Sequence, residues 1–218
     1  MHIVQGRFKF TNAALTLCLG FKPDWIEIFN LTDRTGLIWS PNMGLSAANE
    51  ERSGLAIAAD GTRGATANAA AGVSIYAGGD KLAAASTQYL IGPYDQDVRG
   101  KQDSDAPITA WTLGNASNKT GNFDQEASTS YVGPGSRILI DGTLYEVVAM
   151  TSNGEAANEV TLDAAAPSGA VQRIWSRYDY MGAPAGEVVP KGITIGASAT
   201  VNDTDGDLGF FRASNQHG

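Results

Sequence analysis

Apolar residues recur at every second position wherever this 218-residue chain shows a period, and no helical stripe persists for two turns. Phe8 and Phe10 alternate with cationic residues, and Leu15, Leu17 and Leu19 repeat at the same spacing. Such alternation places apolar side chains on one face of a strand. The pattern therefore predicts a mostly-β protein.

The segment from 25 to 31 is apolar on both of its faces. Trp25, Phe29 and Leu31 share one face, while Ile26 and Ile28 share the other. A strand covered on both sides is typical of the centre of a β-sandwich. We therefore predict that this segment is a central strand.

Composition argues against several classes of function. The chain carries 15 Lys and Arg against 23 Asp and Glu, a net charge of -8, which disfavours binding to nucleic acid or to an anionic membrane. The single Cys18 excludes a disulfide framework, and the two histidines, His2 and His217, lie beside the termini. No nucleophile motif occurs. We expect no enzymatic activity and no cofactor.

Targeting signals are also missing from the sequence. Residues 1–10 lack the charged and apolar regions of a signal peptide, and the longest apolar stretch, 13–21, is too short to span a bilayer. We expect a soluble protein that is made in the cytoplasm and is not secreted.

The first predicted domain segment is 1–94, and it contains a tract rich in Ala and Gly at 47–86. Glycines interrupt the tract too often for a stable helix. It has two interpretations: a surface excursion with one short strand at 73–76, or an arm that lies against a neighbouring subunit. Loops of this length usually have a function.

Three further segments follow. Residues 95–130 are polar and predict a looped connection, 131–176 predict a small inserted β-module, and 177–218 supply the last strands of the sandwich. Asp141 and Gly142 separate two apolar runs of the module and predict a type I′ turn. The short strands of this module could form a small barrel or an open sheet of three to four strands.

Two other turns are predicted, at Pro23-Asp24 and at Asp205-Gly206. The second turn lies among Asp203, Asp205 and Asp207, which suggests calcium, but the positions of an EF-hand loop do not fit and no Glu follows. We therefore predict a tight turn and no metal site.

Four aromatic residues could form a sugar-binding platform. Trp25 and Trp39 lie in apolar runs and are predicted to be core, whereas the better candidates for exposure are Trp111, Trp175, Tyr178 and Tyr180. Aromatic residues beside Gly and Pro are equally typical of subunit interfaces.

Three segments resemble virion proteins of tailed bacteriophages. Residues 20–32 (GFKPDWIEIFNLT) are similar to a turn and central strand that recur in those proteins, and 192–202 (GITIGASATVN) resemble the partner segment. Residues 135–148 (GSRILIDGTLYEVV) resemble small β-modules of phage heads and tails.

The resemblance implies a jelly-roll-like β-sandwich, formed by the N- and C-terminal segments with the module inserted, and no catalytic residues. Among virion roles, the small, acidic, β-rich and Gly/Ala-rich chain fits a capsid decoration (cement) protein that binds the major capsid protein on the capsid exterior, as a homotrimer. The alternative is a receptor- or glycan-binding tail module. Our predicted interface residues are His2, Ile3, Leu55, Ile57, Val73 and Tyr76.

Overall fold

The structure is a computed structural model that describes residues 2–43, 54–66, 69–92, 97–100, 106–129, 131–151 and 156–215. Within these ranges the protein is mostly β, as predicted. The helical elements there are three 3₁₀ turns (Pro41–Met43, Ala69–Ala71 and Thr200–Asn202), and no described helix is long and apolar enough to cross a membrane. The strands are β1 (His2–Lys9), β2 (Leu15–Cys18), β3 (Trp25–Asn30), β4 (Thr35–Trp39), β5 (Leu55–Ile57), β6 (Arg63–Ala65), β7 (Val73–Tyr76), β8 (Ser86–Ile91), β9 (Ala110–Asn115), β10 (Thr120–Ser128), β11 (Arg137–Ile140), β12 (Thr143–Thr151), β13 (Ala156–Leu162), β14 (Gly169–Trp175), β15 (Met181–Ala183), β16 (Gly192–Ile195) and β17 (Leu208–Asn215).

The chain divides into two compact units. The first contains Met1–Tyr94 and Asp179–Gly218, and the second contains Asp95–Tyr178. The first unit has a six-stranded sheet in the order β1-β17-β3-β4-β5-β6 and a five-stranded sheet in the order β15-β8-β2-β16-β7. Both ends of the chain thus contribute strands to the same unit.

Side chains from both sheets of the first unit share one hydrophobic core. Ile26 and Ile28 of β3 belong to the same buried cluster as Ile193 and Ile195 of β16. The two faces of β3 predicted from the sequence are confirmed, because Ile26 and Ile28 are buried and Trp25 and Phe29, on the other face, are half-buried. The central position of β3 is also confirmed, since it pairs with β17 on one side and β4 on the other.

The second unit is a closed six-stranded barrel in the order β10-β13-β12-β11-β14-β9. Its core includes Trp111 and Phe123, whose ring centroids are 5.8 Å apart in an edge-to-face contact. The indole Nε1 of Trp111 donates a hydrogen bond to the carbonyl oxygen of Ala166 at 3.2 Å. The predicted module at 131–176 therefore supplies four strands, and two more strands complete the barrel.

Those two strands correct the prediction for 95–130, which was expected to be a looped connection. β9 and β10 lie in this segment and pair with each other. Along β10, buried Gly121 and Phe123 alternate with exposed Asn122 and Asp124. A strand at a barrel surface needs apolar residues on one face only, so the polar composition concealed it.

The tract at 47–86 contains the predicted strand at 73–76, which is β7, and two further strands that were not predicted. Its described parts form β5 and β6 at one edge of the six-stranded sheet and β7 at one edge of the five-stranded sheet. Residues 47–53 and 67–68 lie outside the described residues. The predicted last strands at 177–218 are β15, β16 and β17, and the 3₁₀ turn Thr200–Asn202 lies between β16 and β17.

All three predicted turns lie between strands. Asp141 and Gly142 have φ angles of 45° and 80°, the positive pair that a type I′ turn requires, and they join β11 to β12. The turn at Asp205-Gly206 precedes β17, and the amide of Gly206 donates to the carbonyl of Phe10 at 3.0 Å. Pro23 and Asp24 lead into β3, where the amide of Asp24 donates to Ser214 at 2.9 Å.

Candidate interaction face

The six-stranded sheet of the first unit has a second, outward side, which we call the outer face. Its members are the residues that alternate with the core residues along each strand and lie opposite one another in the register. They are Ile3, Gln5, Arg7 and Lys9 on β1, Leu208, Phe210, Arg212 and Ser214 on β17, Trp25, Glu27 and Phe29 on β3, Gly36 and Ile38 on β4, Leu55 and Ile57 on β5, and Arg63 and Ala65 on β6.

The outer face is rich in large apolar side chains. One row across the sheet runs Phe210, Phe29, Gly36 and Ile57, so Phe29 and Ile57 flank a glycine and Phe210 lies beyond Phe29. These apolar side chains are half-buried, and Leu31, just beyond the end of β3, is 51% exposed. A continuous apolar strip on a sheet is a feature of surfaces that another protein covers.

Charge on the outer face is opposite in sign to that of the whole chain. Four cations (Arg7, Lys9, Arg63 and Arg212) accompany one acid, Glu27, whereas the chain has a net charge of -8. Arg7 is neutralised by Asp179, whose Oδ2 lies 3.2 Å from its Nε. Even so, cations outnumber acids on this face.

A groove of about 220 Å³ opens on the outer face where Gly36 lacks a side chain. It is lined by Phe29, Asn30, Leu31, Arg34, Thr35, Gly36 and Ile57. A Cβ atom at Gly36 would lie 3.2 Å from the ring of Phe29 and 3.4 Å from Ile57. Any side chain at this position would therefore begin to fill the groove.

Arg34 supplies the charge at the groove. It is exposed, and its backbone has a φ of 60°, in the left-handed region that a non-glycine residue adopts at an energetic cost. Among the described residues no carboxylate lies within ion-pair distance of its guanidinium. The hydrogen-bonding groups of Asn30 and Thr35, by contrast, are engaged: Asn30 bonds to Asp207 and to the backbone, and Thr35 to Thr200.

Next to Arg34 in the chain, Asp33 belongs to a different cluster. Carboxylate oxygens of Asp33, Asp203 and Asp207 lie within 4.8 Å of one another. The pKa of Asp33 is raised above its ordinary value, chiefly because its protonated form shares a hydrogen bond with Asp207, and further by desolvation and by repulsion from both neighbours. Among the described residues, these three carboxylates are the group that could bind one cation jointly. Asp205, which the sequence places beside two of them, does not belong to this group.

The predicted interface residues fall in different places. Ile3, Leu55 and Ile57 lie on the outer face, and His2 lies at its end in an edge-to-face contact with Phe21. Val73 is 2% exposed and belongs to the core, so its side chain cannot reach a partner in this fold. Tyr76 lies in the five-stranded sheet, where its hydroxyl donates to Asp80 at 2.5 Å.

The predicted exposed aromatic platform is wrong for three of its four residues. Trp111, Tyr178 and Tyr180 are buried, and burial raises the pKa of Tyr180 to about 12. Trp175 is half-buried, with the guanidinium carbon of Arg173 4.8 Å from its ring and that of Arg137 5.7 Å away. The expected core position of Trp39 is confirmed, since it is buried. Trp25, which was also predicted to be core, is instead half-buried on the outer face.

The groove was not anticipated from the sequence. Its signal was present in the turn Asp33-Arg-Thr-Gly36, which places an arginine and a glycine directly after a strand that is apolar on both faces. No family model, curated protein or solved structure matches the chain. The function of this chain must therefore be inferred from this geometry and from the resemblance of the three segments described above.

Proposed function

We propose that this protein is a phage capsid decoration protein that binds the outer surface of the capsid and bridges major capsid subunits. The observation that supports it best is the outer face, an apolar strip with arginines on an otherwise acidic chain. Aromatic residues and arginine are the side chains enriched in protein–protein interfaces, whereas lysine and acids are depleted there. The face therefore suits a protein partner.

The distribution of charge supports the location. A net charge of -8 keeps the protein away from packaged DNA, and the face that would meet the shell carries four cations against one acid. We propose that the protein acts as a homotrimer, as decoration proteins commonly do, with no nucleic-acid or membrane partner. It would be made in the host cytoplasm and then join the virion.

The finer fold is part of this proposal. The two sheets that share one core are consistent with a jelly-roll-like β-sandwich built from both ends of the chain. One departure from that pattern is the pair β2 and β8, which is parallel, whereas jelly rolls are antiparallel.

The test is reconstitution on particles that lack the protein. Wild-type protein should bind at close to one copy per major capsid subunit and raise the temperature at which the particles release DNA. The Ile57→Glu variant places a carboxylate on the outer face. It should bind the particles much more weakly, because burying an unpaired charge in the interface is costly.

The matched control is Val188→Glu, at an apolar residue of the same unit that is 56% exposed and lies off the outer face. It should bind like wild type. If particles without the protein are as robust as complete ones and merely fail to adsorb to cells, the decoration proposal is wrong. The glycan-binding tail module would then be preferred, although burial of Trp111, Tyr178 and Tyr180 removes its expected platform.

A further inference from the structure

We propose that the groove at Gly36 is an anchoring site for an extended, acidic segment of a partner protein, which inserts one large apolar side chain and places the neighbouring carboxylate on Arg34. The identity of the partner as a capsid protein rests on the proposed function. The chemistry of the groove does not, because it follows from the residues that line it.

The size and lining of the groove define the inserted group. A volume of about 220 Å³ is smaller than the roughly 300–1,000 Å³ of pockets that hold drug-sized ligands. It exceeds the roughly 150 Å³ of an engineered apolar cavity that holds benzene. Phe29, Leu31 and Ile57 provide apolar walls. One aromatic or branched aliphatic side chain therefore fits.

Arg34 defines the second group. A guanidinium without an ion-pair partner among the described residues can donate two parallel hydrogen bonds to a carboxylate, which is the geometry that arginine favours. Arg34 occupies a position with a φ of 60°, where glycine would be free of strain. The arginine is therefore present despite a conformational cost. The Asp33 carboxylate beside it is engaged with Asp207 and does not neutralise it.

Charge complementarity favours a different, acidic protein over a second copy of the outer face. Two outer faces in contact would bring Arg63 and Arg212 of one copy against cations of the other, with only Glu27 as a counter-charge on each. An acidic segment would find complementary charge at Lys9, Arg63 and Arg212 on this face. The groove is open at the surface between strands β3 and β5, so an extended chain can lie across it.

The first test uses a defined probe, the capped peptide Gly-Ser-Phe-Glu-Ser-Gly, titrated into ¹⁵N-labelled full-length protein. We expect shifts of the amides of Gly36 and Ile57. The Arg34→Gly variant should bind at least about tenfold more weakly, because a hydrogen bond to a charged group is lost. Its melting temperature should not fall, because glycine is unstrained at a positive φ.

Two further comparisons test the contribution of the apolar groove separately from that of Arg34. Gly36→Val should fill the groove and abolish the shifts, whereas Gly64→Val, which has nothing within 4 Å of its added Cβ, should leave binding unchanged. A peptide with Lys in place of Glu, or Ala in place of Phe, should bind at least about tenfold more weakly. Equal binding by either control peptide, or shifts remote from the groove, would overturn the proposal. Dimerisation that Arg34→Gly abolishes would also overturn it, in favour of a second copy.

The capsid assay distinguishes this proposal from the broader one. If Arg34→Gly and Gly36→Val bind particles like wild type, the capsid is not the partner that the groove anchors, and decoration stands. If the peptide binds as expected but the protein does not attach to particles, the groove stands and the decoration proposal fails.

Discussion

Asp33 and Arg34 are consecutive residues whose charges the fold directs to different neighbours. Asp33 meets two further carboxylates, and Arg34 lines the groove on the outer face. No ion pair joins these two residues in the described chain, although they are adjacent. The β3–β4 turn thus places an electrostatically unfavourable cluster beside an unneutralised cation. Both arrangements have measurable consequences.

Asp33→Asn should raise the melting temperature at neutral pH. The folded-state pKa of Asp33 is raised, so the folded protein binds more protons than the unfolded chain, and stability falls as pH increases above the ordinary value of 3.8. Asparagine removes the repulsion and can still donate to Asp207. Calorimetry at pH 4 and pH 7 should show the gain of the variant at pH 7 and little or none at pH 4.

Asp60→Asn is the matched control for this change. The carboxylate of Asp60 accepts the amide of Thr62 at 2.8 Å, which lowers its pKa, so removing its charge should leave stability unchanged or reduce it. A chelator should not alter the melting temperature of the wild type. A rise on adding calcium would show that Asp33, Asp203 and Asp207 bind the ion, contrary to the absence of a metal site predicted from the sequence.

At the scale of elements, the β11–β12 hairpin shows how local sequence specifies structure. Both turn residues have positive φ, and Asp141 also accepts a hydrogen bond from the amide of Ala170 at 3.1 Å. Gly169 makes this approach possible, since a Cβ there would collide with the Asp141 carboxylate. The turn is therefore tied to β14 as well as to its own strands.

Gly142→Ala should destabilise the barrel by about 1–2 kcal/mol, the cost of a left-handed conformation for a residue with a Cβ. No heavy atom lies within 4 Å of the added Cβ, so the effect should be conformational rather than steric. Denaturant unfolding measures the change. Gly100→Ala, in an open turn without positive φ, is the control and should have little effect; equal losses in both variants would refute this explanation.

How far the elements could be predicted depended on burial. β3 and the β11–β12 hairpin carry strong signals, since one is apolar on both faces and the other has an Asp-Gly turn. β10 gave no such signal because, of its buried residues Gly121, Phe123, Ala127 and Ser128, only Phe123 is large and apolar. β6 consists of Arg63, Gly64 and Ala65, all exposed, and nothing in these residues indicates a strand; its pairing with β5 defines it.

At the scale of the whole molecule, each unit has its own hydrophobic core. Ile28 is fully buried in the core of the first unit, and Trp111 is 1% exposed in that of the barrel. The sequence predicted that both ends of the chain would join in one β-structure. It could not predict the groove, because alternation along a strand reveals two faces but not the register that places Gly36 between Phe29 and Ile57.

Ile28→Ala should reduce the free energy of unfolding of the first unit by about 2–5 kcal/mol through the cavity that it leaves. Trp111→Ala should reduce that of the barrel by about 3–5 kcal/mol. Hydrogen exchange read by mass spectrometry can assign each loss of protection to β3 and β16 or to β9 and β10. Equal loss in both units from either variant would contradict the separation of the cores.

The barrel sequence lies between β8 and β15 of the first unit, and the pairing of these two strands determines how this chain can vary. β8 and β15 are antiparallel neighbours, with Ile91 opposite Met181, so the chain leaves the five-stranded sheet and returns to it at adjacent positions. Two strands paired in this way can be joined by a turn or by an inserted domain, because insertions are tolerated where the two ends of the inserted chain lie close together. The barrel, Asp95–Tyr178, can thus be lengthened, shortened or replaced by another domain while the first unit keeps its fold. Such a change, in evolution or by design, would leave the residues of the outer face unaltered.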